Sequence, residues 1–569
     1  MGAGRSFPGR GRRTLLIAGA LAAIGAAPPP DRAAHFAWVD YRGADPVDAV
    51  RRPGAGEYRN PIIQGFYSDP SVERVGNTYY LVTSTFSYFP GIPVFRSTDL
   101  VHWTQIGNVI DRPGQLNFTE RKISEGVFAA TIRHHAGRFY VINTCVNCGG
   151  NFIVTAANPA GPWSNPVWLK EVDGIDPSIF FDDDGRAWIV NNGAPVETPR
   201  YDGHRAIWIQ EYDPRAQKMI GPRKVLLDAG VDPSTNPAWI EGPHLYKHDG
   251  HYYLMAAEGG TSVKHSEVIL RADRVTGPYV PWTGNPILTQ RDLPADRPYP
   301  VTSTGHADLI ETPSGDWWSV FLGTRPYAGD LYNTGRETFL LPVKWTDGWP
   351  VILPHGQAVP MTAPAPKLPH GPTAPPTSGP LHIRTDFAGA SLPPEWMMMR
   401  NPATRWYRTG GGLTLQPRPE RLGDMANPSF VGRRQQHIKA HVETALSFAP
   451  ARDGDKAGLA AVQNDDFYYF VGLARDHGKT ELHVERRAGP GDDKDGVVIA
   501  RVPFTGSPGA PLYLGIDANG GAYSFRYATT PGQWHVLLRD ADGTILSTNK
   551  AGGFVGTLIG PYAVSRPGS

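Results

Sequence analysis

The stretch Ile240–Met255 reads IEGPHLYKHDGHYYLM. A glutamate stands before a Gly-Pro pair and an alternating strand follows. An Asp-Gly turn at Asp249–Gly250 then reverses the chain into a return strand of paired aromatics, the pattern of a β-hairpin. The unit recurs four times, as SDPSVERVGNTYYLV from Ser68, FAATIRHHAGRFYVI from Phe128, IDPSIFFDDDGRAWIV from Ile175 and GHADLIETPSGDWWSV from Gly305. Aligned on Tyr80, Tyr140, Trp188, Tyr253 and Trp318, the copies place Asp69, Phe128, Asp176, Glu241 and His306 at one position. That position lies eleven residues before Tyr80 and twelve before each of the others.

The hairpins recur at intervals of roughly 50–65 residues, the length of a four-stranded propeller blade with its loops. FRSTDLVHWTQ from Phe95, GPWSNPVWL from Gly161 and GPYVPWTGNPIL from Gly277 supply outer strands. No single hairpin can bury its own faces, so five of them are expected to close around an axis. The sequence therefore predicts an all-β protein, with a five-bladed β-propeller over 58–354. A Pro-rich segment over 355–380, with APAPKLPHGPTAPPTSGP in it, reads as a semi-rigid polyproline spacer. Alternation resumes over 381–569 in words such as HVETALSF, TELHVERRA and AYSFRYAT, which predict a β-sandwich.

At 569 residues, the length fits two or three domains. The 65 glycines and 55 prolines, with 15 Trp, 23 Tyr and 22 Phe, favour turns and aromatic strands over long helices. The net charge of +1 supplies no field for nucleic acid or an anionic membrane and suits a neutral ligand. Arg5, Arg10, Arg12 and Arg13 precede an Ala-rich apolar run from Leu15 to Ala27 that is too short to span a bilayer. Residues 1–27 thus read as a signal peptide, of the general secretory or twin-arginine type, and the protein as exported, periplasmic or secreted. Residues 28–57 read as an arm outside the folded domains. Cys145 and Cys148 lie too far apart to be bridged along an extended strand, so a disulfide requires a turn through Val146–Asn147. Without further ligands nearby they do not make a zinc site. The sequence leaves open whether they are bridged, and it carries no sign of oligomeric state.

If the first strand of each hairpin lines the axis, the five aligned residues ring one cavity. Any one Asp-Pro reads as an ordinary strand start. Three acids in register are different, because carboxylates converging on one cavity cost several kcal/mol unless protonated, paired or solvated. No Ser-His-Asp order, phosphate-cradling loop or metal-ligand cluster competes with this reading. Carboxylates in an aromatic pocket point to glycosidic bond cleavage, with one acid to protonate the leaving oxygen and another to handle the nucleophile. Phe86 and Tyr88 are candidates for stacking on sugar. A sugar-binding propeller without turnover is the rival.

Several words carry a resemblance: NPIIQGFYSDPS at Asn60, STFSYFPGIPVFRSTDLVHW at Ser84, GIDPSIFFDDDGRAW at Gly174, TGHADLIETPSGDWW at Thr304 and GRETFLLPVKW at Gly335. With the opening stretch, they resemble glycoside hydrolase family 43, in its two-domain β-xylosidase and α-L-arabinofuranosidase form. The resemblance implies an exo-acting, inverting hydrolase of xylo-oligosaccharides or arabinose-substituted xylan fragments. It implies Asp69 as general base, Glu241 as general acid, and Asp176 as the residue that orients Glu241 and raises its pKa by like-charge repulsion. It implies that Phe86, Thr261, His306 and Arg336 contact substrate, and that Phe554, in GGFVGTLIG, reaches over the pocket from the sandwich. The alternative leaves the sandwich an independent carbohydrate-binding module. No cofactor is expected, apart from calcium that some relatives hold on the axis near His306. Two departures stand out. SEGVFAATI at Ser124 replaces a Trp-Ala-Pro word and leaves Phe128 on the ring, and the chain ends at Arg566–Ser569 where an edge strand is expected.

Overall fold

A computed structural model describes residues 1–2, 32–370 and 376–566. The signal-peptide reading falls, from residue 3 onward, outside the described residues.

Five antiparallel blades follow one another along the chain, four of them four-stranded and the fourth blade with an added short strand, Leu288–Thr289. Their first strands are Ser71–Val75, Gly126–His135, Ile175–Phe181, Glu241–His248 and Thr302–Glu311. Each is an edge strand of its own sheet. These edges meet around the axis, where Ser71, Arg133, Tyr246 and Asp308 of four different blades are hydrogen-bonded together. The ring closes through NPII at the head of the domain. Asn60 exchanges side-chain hydrogen bonds with Leu340 of blade 5, and Ile63 exchanges backbone bonds with Thr338.

The sandwich has two sheets. One carries Ala34–Ala44, Lys439–Ser447, Leu512–Asn519 and Ala522–Ala528 as neighbours; the other carries Leu558–Val564, Lys456–Asn464, Phe467–Asp476 and Lys479–Ala488. Leu558–Val564 is paired on both sides.

Three expectations need correction or completion. The described part of the expected arm over 28–57, residues 32–57, does not lie outside the domains, because AHFAWVDYRGA (Ala34–Ala44) is an interior strand of the sandwich. Its Ala34, Phe36, Val39 and Tyr41 are buried in the core, and that burial outweighs the entropy of ordering the segment. Asp45, just beyond it, is buried against Arg325 of blade 5, which also holds Glu337 through two hydrogen bonds. The Pro-rich segment is not a free spacer either. Thr362–Pro364 pairs with Glu57–Arg59, and the hydroxyls of Thr377 and Ser378 donate to Ile62 and Pro61. Apolar residues between the prolines, Ala363 and Leu368, settle on blade 1 and blade 5 side chains. Finally, Cys145 and Cys148 are bridged, with Cα atoms 5.1 Å apart. Asn147 takes φ 59°, which supplies the turn that an extended strand lacks.

The two domains share packed cores. Phe66, Phe86 and Tyr88 of the propeller lie in one cluster with Met397, Met399, Phe470 and Val555 of the sandwich. Met398–Met399 even adds a short strand to Tyr88–Phe89.

Candidate active site

In blades 2 to 5 the ladder of the axial strand slips near its start, once in blades 2, 3 and 4 and twice in blade 5. Such a bulge sets two residues against one on the partner strand and re-aims a side chain. Asp176, Gly242 and His306 occupy the left-handed place in their bulges, with φ of 53°, 57° and 51°, and Asp69, two residues ahead of Ser71, takes φ 54°. Aspartate, histidine and glycine are among the residues that tolerate this conformation best. Glu241 stands one place earlier, paired with Ala257 as Ile175 is with Asn192 and Gly305 with Leu322. Phe128, the residue after the Val127–Cys145 pair, shares the later place with Asp176 and His306, without their positive φ. The expected single ring is therefore two adjacent tiers. Counting residues could not separate them, since a bulge changes register without leaving a gap in sequence.

Both tiers open into one pocket of about 310 Å³, at the small end for small-molecule sites. Asp69, Phe86, Phe128, Asp176, Glu241, Thr261, His306, Arg336 and Phe554, all expected at the site, line it. Phe554 enters from the sandwich and stacks on Phe86, with ring centroids 5.8 Å apart, and meets Phe128 edge-on at 5.6 Å. The loop can come so close because Gly335 and Gly556 lie back to back; a Cβ on Gly556 would stand 2.7 Å from the Thr334 carbonyl carbon. The next residue, Arg336, lies over the Phe554 face at 5.3 Å. The Phe554 N–H is held by Ser124 Oγ at 2.9 Å.

The three acids are buried in different electrostatic settings. Asp69 accepts from Ser84 Oγ and pairs with Arg336 at 3.1 Å, and Arg336 also donates to Thr261 Oγ1 at 2.9 Å. Burial pushes the Asp69 carboxyl up, but Arg336, His306 and the Ser84 and Ser68 hydroxyls outweigh it and hold the group below the usual carboxylate range. Asp69 is therefore ionised. Burial, then the charges of Glu241 and Asp69, push Asp176 well above that range, against the Gly242 N–H that it accepts. Glu241 is pushed up to about 7, chiefly by burial, with Asp69 raising it and Arg336 and Arg205 opposing. Repulsion from Asp176 was expected to raise Glu241. Here burial leads, and the mutual repulsion falls on Asp176. The pair holds a proton into the neutral range while Asp69 does not.

Sequence reasoning missed the opposite wall. Trp239, 41% exposed and at φ 51°, lines the pocket. Arg205 lies over its ring at 5.0 Å and is held by Asn192 Oδ1 at 2.7 and 3.0 Å. Asn192 in turn donates to the Ile240 carbonyl at 2.6 Å, just before Glu241. A bulky residue at positive φ costs roughly 1–2 kcal/mol, and such strain concentrates at functional sites. Phe86 shares it, at φ 54°. The only sequence signal was a tryptophan two residues before Glu241.

On the axis, the Arg133 guanidinium pairs with Asp308 at 2.9 and 3.1 Å and meets Ser71 Oγ and His244 Nδ1. Tyr246, Ser71 and the Val72 N–H also donate to Asp308. A calcium ion needs six to eight oxygen ligands, and these oxygens are already engaged by donors. These residues do not fit calcium.

Residues 58–350 match the model of glycosyl hydrolases family 43, and residues 384–569 match the β-xylosidase C-terminal concanavalin A-like domain. The chain belongs to glycosyl hydrolase family 43. It is similar to a xylosidase/arabinosidase of Butyrivibrio fibrisolvens, 38% identical over 516 residues, covering 89% of this chain and 96% of the relative. It is also similar to a non-reducing end α-L-arabinofuranosidase of Bacteroides ovatus, 37% identical over 527 residues, covering 89% and 91%. A family member from a capybara gut metagenome superposes with a TM-score of 0.86 at 39% identity, covering 94% of this chain and all of that one. A Bacillus halodurans xylan β-1,4-xylosidase gives 0.81 at 32%, covering 89% and 96%. This family 43 chain is accordingly a glycoside hydrolase.

Proposed function

We propose that the enzyme releases β-1,4-linked xylose from the non-reducing end of xylo-oligosaccharides with inversion at the anomeric carbon. The observation that carries this reading is the setting of three buried acids in one pocket: Asp69 is paired with Arg336 at 3.1 Å, which favours its ionised form, while burial favours the protonated form of the Asp176–Glu241 pair. Asp69 takes a proton from water as that water attacks the anomeric carbon. Glu241 gives its proton to the glycosidic oxygen, and the bond to the leaving sugar breaks. Asp176 restrains Glu241 and shares its proton. Arg336, Thr261 and His306 bind the terminal sugar, and Phe86, Phe128 and Phe554 shape its slot. The wall built by Phe554 supports exo action, because it confines the pocket to one terminal unit. Trp239, exposed at the rim, is the platform for the departing sugar.

Relatives named for arabinofuranosidase activity make α-L-arabinofuranosides the second substrate class on the same site. The basic and apolar leader supports export as the setting. The test is product analysis on xylobiose, xylotriose and nitrophenyl arabinofuranoside, with the anomer followed by NMR. Initial α-xylose from the β-linked substrates is the expected result. Initial β-xylose overturns inversion, absence of sugar release overturns catalysis, and turnover of the arabinofuranoside alone overturns the substrate order.

A further inference from the structure

We propose that Asp99, His102 and His370 form a second, structural site for a zinc-class divalent ion, clipping the segment between the two domains to blade 1. Asp99 lies in the turn between the third and fourth strands of that blade and is 3% exposed. One carboxylate oxygen, Oδ1, is fully engaged. It accepts from Ser97 Oγ at 3.0 Å, the Val101 N–H at 3.0 Å and the His102 N–H at 2.8 Å. The other, Oδ2, faces two imidazoles, His102 Nδ1 at 2.7 Å and His370 Nδ1 at 3.5 Å. The three donor atoms lie within 4.8 Å of one another, and among the described residues no other group of three or more His, Cys, Asp or Glu converges in this way.

His370 does not reach this turn by chance of an exposed tail. Leu368 packs on the cluster that contains Leu100 and Trp103, and Thr98 Oγ1 donates to the Pro369 carbonyl at 3.4 Å. The backbone on both sides of the gap is thus anchored before any ion arrives. The rings are inclined at 72° with centroids 6.3 Å apart, so they do not stack, and the Nδ1 of each faces Asp99 Oδ2.

Two imidazole nitrogens and one carboxylate oxygen suit zinc, nickel or copper better than calcium or magnesium. At zinc–ligand distances of about 2.0–2.2 Å, tetrahedral ligands stand roughly 3.3–3.5 Å apart. His102 and His370 have exposed side chains and can rotate by the small amount required. Water takes the fourth place, and the three protein ligands need no backbone shift at Asp99.

The experiment uses the full chain stripped of metal and titrated with zinc chloride by calorimetry, with cobalt absorption as a check on geometry. The expected result is one equivalent bound with a dissociation constant of roughly 1–50 µM, and a rise in unfolding temperature on loading. His370→Ala and His102→Ala should each weaken binding at least tenfold and abolish that rise, while leaving xyloside hydrolysis unchanged. His477→Ala, at an exposed histidine outside the cluster, should leave binding as it was. Binding unaltered by both cluster variants, or none up to about 1 mM, overturns the site and leaves two imidazoles hydrogen-bonded to a carboxylate. Because its readouts are stoichiometry and unfolding temperature, this test stands apart from the proposed sugar chemistry.

Discussion

At the scale of single residues, the proposed mechanism needs Asp69 charged and the Asp176–Glu241 pair protonated at once. Asp69 is held below its ordinary range, so its condition is met by about pH 5. The pair loses its proton as pH rises through about 7, and activity should fall there. The kcat/KM profile for xylobiose is therefore expected to peak in mild acid, with an alkaline limb belonging to the pair. Asp176→Asn should leave that limb near neutral, because burial leads in raising Glu241 and the mutual repulsion falls on Asp176. Arg205→Gln removes a cation that favours ionised Glu241 and should move it to higher pH. A limb that falls to lower pH in either variant would show that burial and charge are wrongly apportioned between the two acids. Glu241→Ala should lower activity on xylobiose by about 10²–10⁴-fold, and less on a nitrophenyl xyloside, whose leaving group needs little protonation. Trp239→Ala should lower kcat/KM for xylobiose about three- to tenfold, mainly through KM, the magnitude of one aromatic contact. Methyl β-xyloside, which brings no second ring, should be nearly indifferent to it.

Elements matter where strands bulge and where one domain lends a loop to the other. The bulges in blades 2 to 5 turn residues of two neighbouring places toward the pocket, so aspartates from one tier meet a glutamate from the tier before. The Phe554 loop works through close backbone approach at Gly335–Gly556 and through the Ser124 hydrogen bond. Phe554→Ala should cut kcat/KM for xylobiose by roughly ten- to a hundredfold, since it removes the stack on Phe86 and opens the slot to water. Ser124→Ala loses one hydrogen bond and should cost a few-fold, about 0.5–1.5 kcal/mol. Steady-state kinetics on the two variants distinguishes a loop that shapes the pocket from one that merely passes it. Equal wild-type values for both would return Phe554 to the role of an ordinary strand residue.

Taken whole, the molecule is a propeller and a sandwich that do not separate at the Pro-rich segment. A chain cut to 58–356 would lose Ala34–Ala44, Asp45 and the Phe554 loop. It would also expose Phe66 and Tyr88, which the sandwich now covers. It is expected to aggregate or unfold, as read by circular dichroism and size-exclusion chromatography; a soluble, active fragment would support an independent module. A milder probe is Asp45→Asn. Arg325 keeps Glu337, so the loss should be that of one charged hydrogen bond, about 1.5–3 kcal/mol in thermal or chemical unfolding.

The repeated hairpin carries its own information. Alternation, Asp-Gly turns and paired aromatics recur in five copies, and local pattern alone determines strands, blade number and the approximate ring of Asp69, Asp176, Glu241 and His306. What the chain could not show locally is register and company. Which tier an acid occupies depends on a bulge against the next strand. Which acid keeps its proton depends on Arg336 and Arg205, which lie far from the acids in sequence. The first strand of the sandwich lies before the propeller, and its place beside Lys439–Ser447 is set by burial of Phe36 and Tyr41 in a core assembled from the other end of the chain. Sequence pattern determines what short segments prefer. Only tertiary structure decides which distant charges share a low-dielectric pocket, and that decides which carboxyl acts as acid.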